Sequence, residues 1–561
     1  MIERIAKLLY PEGRELAAPV DRARAVAETD AAMTADQVTL FEATFVADHC
    51  LARVDILRKC QKHLDVIEVK AKSFDSDENA AAIAAGRRNL FWTKWKTLRA
   101  EWREYLEDVT FQVLVLLRLF PVAVINPYLL MPDRAKSTRI DHLHASFSIE
   151  KVSGEGGFAR YVVKFHGDAD ELRGDNFLTL VPVKFEVEHL LPVVREKAET
   201  FVRSIHPNLR ILDAPISVGC KHCEFRLPEG EAGDRNAFRE CWGNLAEIPD
   251  HLLDLFHVAE VGGRGGVTAN ALLAKGKASI FDFSAEDLVK GDGTVGENNK
   301  RQIIQIEYTR RNEEWVSDEL GPLLRRFKFP LHFIDFETAT LAVPVHAGMR
   351  PYEEVAFQWS CHRLAAHNAE PTHSEWINVT DSFPNFAFAE SLMNCIGDEG
   401  TVFMWATHEN TILSRIAEQL ERRGYACRAL KHWLKSIVRS DTNQNTRLTD
   451  LNAITLRHYF HPVMKGRTSV KKVCDAVWKT NPRIREKYPQ FLKLYDDEVA
   501  SPYDTLPPLE INGRPVVVAE GTGAIRAYEA MLYGCERDST ETKDRWRKLL
   551  LQYCSLDTLA R

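Results

Sequence analysis

Long hydrophobic runs are missing from this 561-residue sequence. None approaches the roughly 20 consecutive apolar residues that cross a bilayer, so no membrane-spanning helix and no membrane partner are expected. The opening Met1-Ile2-Glu3-Arg4 lacks a basic leader and a small-residue cleavage site, which makes a cytoplasmic protein the expectation. Basic charge is not in excess either. A net charge of −7 disfavours a generic nucleic-acid coat, but it suits an enzyme that gathers carboxylates around metal ions and keeps its basic residues local. Eleven cysteines without a secretion leader are poor grounds for disulfides. Cys361, Cys474 and Cys554 stand singly in apolar stretches and read as buried small residues. Internal repeats and long low-complexity tracts are absent as well.

What is present is the composition of a folded chain, 45% hydrophobic and 27% charged, too long for one ordinary domain of about 100–200 residues. Residues 1–40 read as polar helices. Apolar–polar alternation then marks half-buried strands between 39 and 72: Phe41–Phe45, Ala52–Leu57 and Leu64–Lys70. Residues 84–120 suggest a long helical region, 159–186 a strand pair, and 187–203 a helix. The Gly-rich Val261–Gly266 and the polar Lys290–Lys300 look like boundaries. A second strand-rich text opens at Pro330–Thr338, continues near 355–364 and 401–406, and carries helical segments near 409–424 and 543–560. The expected architecture is α/β, with domains at 1–245 and 326–561 and a connector at 246–325.

In Leu331-His-Phe-Ile-Asp-Phe-Glu-Thr338, Asp335 and Glu337 are two apart on a strand and share a face. Clustered carboxylates on an apolar strand gain nothing unless a cation neutralises them, which points to a divalent metal held by oxygen ligands. Thr401-Val-Phe-Met-Trp-Ala-Thr-His-Glu409 reads as a strand running into a helix and places His408 and Glu409 at the strand end. In Tyr553-Cys-Ser-Leu-Asp557 the phenol and carboxylate lie one helical turn apart.

These three pieces, in this order, resemble the DEDD exonuclease superfamily of the ribonuclease H-like fold. The resemblance implies two magnesium or manganese ions about 4 Å apart that activate a water and stabilise the leaving oxygen. Asp335, Glu337, Glu409 and Asp557 would be metal ligands and Tyr553 would position the water. Glu409 stands where that superfamily usually has Asp, and Asp450 is a supporting acid. Further wording, Arg350-Pro-Tyr352, Phe357-Gln-Trp-Ser360, Gly466-Arg-Thr-Ser-Val-Lys471 and Tyr553–Thr558, is similar to a bacterial family known as domain of unknown function 2779. There Lys471 and Lys472 would lie near the substrate and contact phosphate.

Earlier in the chain, Asp55 and Glu68-Val-Lys70 have the layout D…E-x-K, with Glu68 and Lys70 on one strand face. Two carboxylates can hold a metal while the ammonium stabilises the developing charge. A surface hairpin of ordinary alternating charge has the same text. The ordered set Glu42, Asp55, Glu68, Lys70 and Gln112 resembles the PD-(D/E)XK nucleases of RecB and AddB type. In that resemblance Glu42 is an additional acid and Gln112 opens a Q-x3-Y motif, whose final Tyr is Leu116 here.

Nucleases of that type often carry a 4Fe–4S cluster bound by one early and three late cysteines. Cys220, Cys223 and Cys241 match the late three, but no Cys precedes Cys50. Either an N-terminal segment is missing or the cluster is incomplete. His222 could instead complete a zinc site, or the thiols are free. Cys50 and Cys60 read as core residues. Arg87-Arg88-Asn-Leu-Phe-Trp-Thr-Lys-Trp-Lys-Thr-Leu-Arg99 interleaves bases with aromatics as single-strand binders do, although an amphipathic helix, the favoured reading, has the same pattern. The resulting expectation is a metal-dependent nuclease acting on DNA, in repair or defence against foreign DNA. An RNA-processing exonuclease and a binding protein with decayed sites are the alternatives.

Overall fold

Alternating apolar positions between residues 37 and 69 fold as three long antiparallel strands. They belong to a mixed six-stranded sheet: β1 (Arg14–Glu15), β2 (Gln37–Ala47), β3 (Cys50–Cys60), β4 (His63–Val69), β5 (Val124–Pro132) and β6 (Leu178–Pro182), hydrogen-bonded in that order. β4 and β5 are parallel. Parallel neighbours need a crossover, which helix α1 (Ala100–Leu119) supplies. Its Trp102, Leu106, Val109, Val113 and Leu116 recur at helical spacing and bury against the sheet in one apolar core. Helix α2 (Lys184–Ile205) packs beside α1.

The structure, a computed structural model, describes residues 1–16, 22–153, 159–227, 236–440, 446–495, 498–511, 513–534 and 539–561. The chain forms two compact units, Met1–Leu212 with Thr340–Glu354, and Asp213–Ala339 with Val355–Arg561. The segment 213–245, grouped with the first half on sequence grounds, therefore belongs to the second unit. There Phe238 and Trp242 pack with Leu252, Leu272 and Ile306 in a cluster of their own.

The helical region expected over 84–120 is divided. A short helix ends at Ala84, turns follow, and α1 begins only at Ala100. Thr93 Oγ1 accepts the Trp95 and Thr97 N–H groups at 3.2 and 3.3 Å, a side-chain turn that competes with helix hydrogen bonding. Trp92 is buried with its indole N–H on Glu186 at 2.7 Å, while Trp95 is exposed. The aromatic–basic stretch is thus a loop, not a helix. The strand pair expected over 159–186 is a hairpin, Phe147–Ser153 with Ala159–Phe165, followed by β6.

The second unit is built on a mixed five-stranded sheet. Its strands are β7 (Leu331–Thr340), β8 (Glu354–Leu364), β9 (Thr372–Ile377), β10 (Thr401–Met404) and β11 (Leu448–Asp450), in the order β9-β8-β7-β10-β11. β8 and β9 are antiparallel, and β10 runs parallel to both β7 and β11. Ile334 and Phe336 face an apolar core with Phe388, Leu392 and helix α3 (His408–Arg422). The other face carries Asp335 and helix α5 (Thr540–Ala560); helix α4 (Val470–Thr480) packs against α5. Three side chains of β8 hold α5 in place: Gln358 donates to Leu550 O at 3.0 Å, and Ser360 and His362 each meet the Thr558 hydroxyl at 2.8 Å.

No helix among the described residues is long and apolar enough to cross a membrane.

Candidate metal centres

Period-two alternation on β7, the central strand, sends Ile334 and Phe336 to the core and Asp335 and Glu337 to the opposite face. Glu409 sits in the first turn of α3, where the helix dipole favours a carboxylate. On α5, Tyr553 and Asp557 are one turn apart. All five side chains are buried.

The four carboxylates converge. Ligand atoms of Asp335, Glu337 and Cys554 lie within 4.8 Å of one another. The Cys554 thiol donates to Asp335 Oδ2 at 3.6 Å, and the Tyr503 hydroxyl donates to Asp557 Oδ1 at 2.5 Å. The Arg561 guanidinium, itself buried, pairs with both Asp335 and Glu409 and donates to Ile334 O. Lys471 Nζ lies 4.9 Å from the Tyr553 ring centre and 5.1 Å from that of Tyr503.

Among the described residues, four buried carboxylates thus face one buried guanidinium and one nearby ammonium. Burial and mutual repulsion push Asp335 up to about 6 and Asp557 up to about 7, and hold Glu337 well above the ordinary range. Glu409 is raised by burial, against the pull of Arg561. Among the described residues, Glu409 Oε2 is buried without a hydrogen-bond partner. An acid set of this kind, with an orphaned oxygen, fits hard divalent cations. Burial also pushes the Tyr553 phenol far up, so it stays protonated.

Residues 332–469 match the family model of a domain of unknown function (DUF2779). The match takes in Asp335, Glu337 and Glu409 and ends before Lys471, Tyr553 and Asp557. Neither the curated proteins nor the solved structures contain a match to the chain.

Two further sequence candidates take other places. Asp450 Oδ1 accepts Ala453 N–H and Ala406 N–H at 3.1 and 2.9 Å, so it caps a helix and fixes the turn after β10. Lys471 Nζ donates to Ala519 O and acts on Glu337 and Asp557 through its charge, whereas among the described residues Lys472 has no contact with the carboxylates.

In the first unit, Glu68 on β4 is buried and accepts from Gln112 Nε2 on α1 at 2.5 Å. Lys70 Nζ bridges Glu68 at 2.7 Å and Asp108 at 2.5 Å. Asp55 Oδ2 accepts the Val69 N–H at 2.8 Å. Asp55, Glu68, Lys70 and Gln112 therefore meet at one end of the β3–β4 hairpin. Asp108, one turn before Gln112 on α1, was not singled out as a site residue, although i,i+4 spacing places the two on one face.

Glu42 is less available. The pairs Phe41↔Ile56 and Ala43↔Val54 set it opposite Asp55, with φ of 60°, but its carboxylate is shared by Lys7 at 2.9 Å and Arg53 at 3.4 Å. Among the described residues, Glu42, Asp55 and Glu68 do not close to the 4.8 Å spacing found for Asp335, Glu337 and Cys554.

Burial raises Asp55 to about 6 and Glu68 to about 8, each helped by the other acids nearby. Burial alone would lower Lys70, but Asp108 and Glu68 hold it above its ordinary value. A carboxyl raised on folding stabilises the fold while protonated and loses that contribution as pH rises through its folded value. The metal-free protein is therefore expected to melt at falling temperature as pH rises from the ordinary carboxylate range, about 4, to about 8. Glu68→Gln should flatten this slope, and added magnesium should recover most stability at the alkaline end. Differential scanning fluorimetry across that range checks it; identical slopes for wild type and variant would refute the assignment.

Among the described residues, the ligand atoms of Cys220, Cys223 and Cys241, with or without His222, do not lie within the 4.8 Å of one another that a single zinc ion requires. Cys220 packs against the apolar cluster and accepts the Ser217 N–H at 3.5 Å. Cys241 is exposed, because its short helix turns Phe238 and Trp242 inward instead. Cys50, Cys361 and Cys554 are buried and Cys474 is partly so. Cys60 is exposed, contrary to the core reading, because it ends β3 at the hairpin turn.

Proposed function

We propose that this chain is a metal-dependent nuclease that hydrolyses phosphodiester bonds of DNA. It would have a ribonuclease H-like exonuclease site in the second unit and a PD-(D/E)XK-like site in the first. The observation that carries the reading is the convergence of Asp335, Glu337, Glu409 and Asp557 from three distant segments into a buried site with more negative charge than the protein neutralises. A mixed sheet with the D-x-E pair on its central strand supports it.

Bound by these carboxylates, two magnesium or manganese ions would activate a water and stabilise the leaving oxygen. The protonated Tyr553 phenol would orient the attacking water, and Lys471, over the Tyr503 and Tyr553 rings, would bring positive charge to a phosphate. Beside Arg561, a cavity of about 380 Å³ is lined by Trp405, Trp478, Tyr488 and Phe491, surfaces on which a base can stack. The 3′ to 5′ polarity follows from the superfamily resemblance. In the first unit, Asp55 and Glu68 would hold metal while Lys70 stabilises developing charge. The loop carrying Arg87, Arg88, Lys94 and Lys96 edges a hollow of about 600 Å³ with Trp92 and Phe185, which suits a single strand. Repair or defence against foreign DNA is the setting this chemistry serves.

The test is the full chain, stripped with chelator, incubated with matched DNA and RNA oligonucleotides with and without magnesium or manganese. Degradation of DNA only after metal is restored is expected. Preference for RNA would redirect the substrate. No cleavage of either polymer, or equal cleavage by an Asp335→Ala/Lys70→Ala double variant, would overturn the reading.

A further inference from the structure

The first unit holds a second kind of ligand set, made of imidazoles, apart from the carboxylate–lysine cluster. Thr138 N donates to Met349 O at 3.0 Å and Gly348 N donates to Thr138 O at 2.7 Å, pinning the segment 346–349 to the loop that follows β5. Ala347 N donates to Asp141 Oδ1 at 3.1 Å. These bonds bring His346, only 6% exposed, against Asp141 and His142.

His142 takes a φ of 54°, a left-handed conformation that non-glycine residues rarely adopt. Backbone of this kind persists where its surroundings impose it, and it recurs at ligand sites. His346 Nδ1 lies 3.7 Å from Asp141 Oδ1, and His142 Nε2 lies 3.4 Å from Asp141 Oδ2. Both separations are longer than an ordinary N–H···O hydrogen bond. The His142 separation equals the edge of a tetrahedron with bonds of roughly 2.0–2.1 Å, about 3.4 Å, and the His346 separation, to the other carboxylate oxygen, is somewhat longer. One ligand atom from each residue falls within 4.8 Å of the other two. The two rings stand 6.1 Å apart at 79°, as imidazoles do when they approach one centre from different sides.

We propose that Asp141, His142 and His346 form a site for a borderline divalent transition ion, zinc first. Two imidazoles and one carboxylate suit zinc better than magnesium, which prefers an all-oxygen shell. Asp141 and His142 remain about half exposed, so the fourth position opens to solvent or to a small anionic ligand. The site is independent of the nuclease reading, since none of its residues belongs to either acid cluster.

The experiment is calorimetric titration of zinc into the chelator-stripped full chain with excess magnesium present to occupy the carboxylate sites. Cobalt absorption is recorded in parallel. Wild type should bind one zinc that Asp335→Ala retains, and cobalt should give the intense visible bands of a four-coordinate nitrogen-containing site. His142→Asn, which tolerates the left-handed backbone, and Asp141→Asn, which keeps an oxygen for the Ala347 N–H, should each weaken that zinc at least about tenfold while leaving the melting temperature of the metal-free protein close to that of wild type. Equal zinc affinity in wild type and both variants would overturn the proposal. A weak octahedral cobalt spectrum in wild type would also do so, and that measurement does not depend on any variant folding.

Discussion

Asp335→Asn is expected to lower metal-dependent release of nucleotides by about 10²–10³-fold or more, the scale on which one preorganised charged group contributes to a transition state. The substitution keeps the shape and removes a charge at the centre of the site. Stability is the telling companion measurement. Breaking a buried ion pair that serves only structure typically costs about 3–5 kcal/mol. Here Asp335 is pushed up to about 6 by burial and by Glu409, so its charge is unwelcome without a cation. The metal-free variant should therefore melt no lower than wild type, while its response to manganese shrinks. Loss of activity together with a large fall in metal-free stability would make the Asp335–Arg561 pair structural. Any cutting left in Asp335→Asn belongs to the first unit and should vanish when Lys70→Ala is added; cutting that persists in the double variant would defeat both assignments.

The residues of that site were legible to different degrees, for physical reasons. Asp335 and Glu337 could be read because a strand has a period of two, and Tyr553 and Asp557 because a helix brings i and i+4 together. Glu409 was legible by position, at the end of a strand. Arg561 obeys the same i+4 rule relative to Asp557, yet a basic residue in an acid site does not suggest itself until the excess charge is visible. Tyr503 had no signal at all: it reaches Asp557 from 54 residues upstream, out of a short 3-10 turn. In the first half, the α/β pattern and the D…E-x-K hairpin followed from alternation. The break before α1 did not, because Asn79, Asn89 and Thr93 side chains capture the backbone N–H groups of Leu90, Phe91, Trp95 and Thr97 that a helix would use. The segment Thr340–Glu354, which belongs to the first unit although its flanking strands lie in the second, leaves no trace in local periodicity. For that reason the meeting of His346 with Asp141 was invisible in the sequence.

Arg561→Ala is expected to carry a large stability effect. The guanidinium is buried and pairs with two carboxylates, and its loss leaves Asp335 and Glu409 facing Glu337 and Asp557 with, among the described residues, Lys471 as the nearby positive charge. Removing one partner of a buried charge cluster costs about 3–5 kcal/mol, most of it from the charges left uncompensated. Part of that cost is relieved by proton uptake, since these carboxyls already sit high, so the loss should grow from mildly acidic to neutral pH. Divalent cations offer a second route to neutrality. If the carboxylates are metal ligands, saturating manganese should bring Arg561→Ala back to within about 1 kcal/mol of wild type, the upper end of what an exposed ion pair contributes. The variant should then gain more stability per manganese bound than wild type does, a difference that urea unfolding with and without the ion resolves. An unchanged deficit at saturating manganese would show that the guanidinium and the metal do not share these carboxylates, and the second-unit site would lose its claim to be a metal centre.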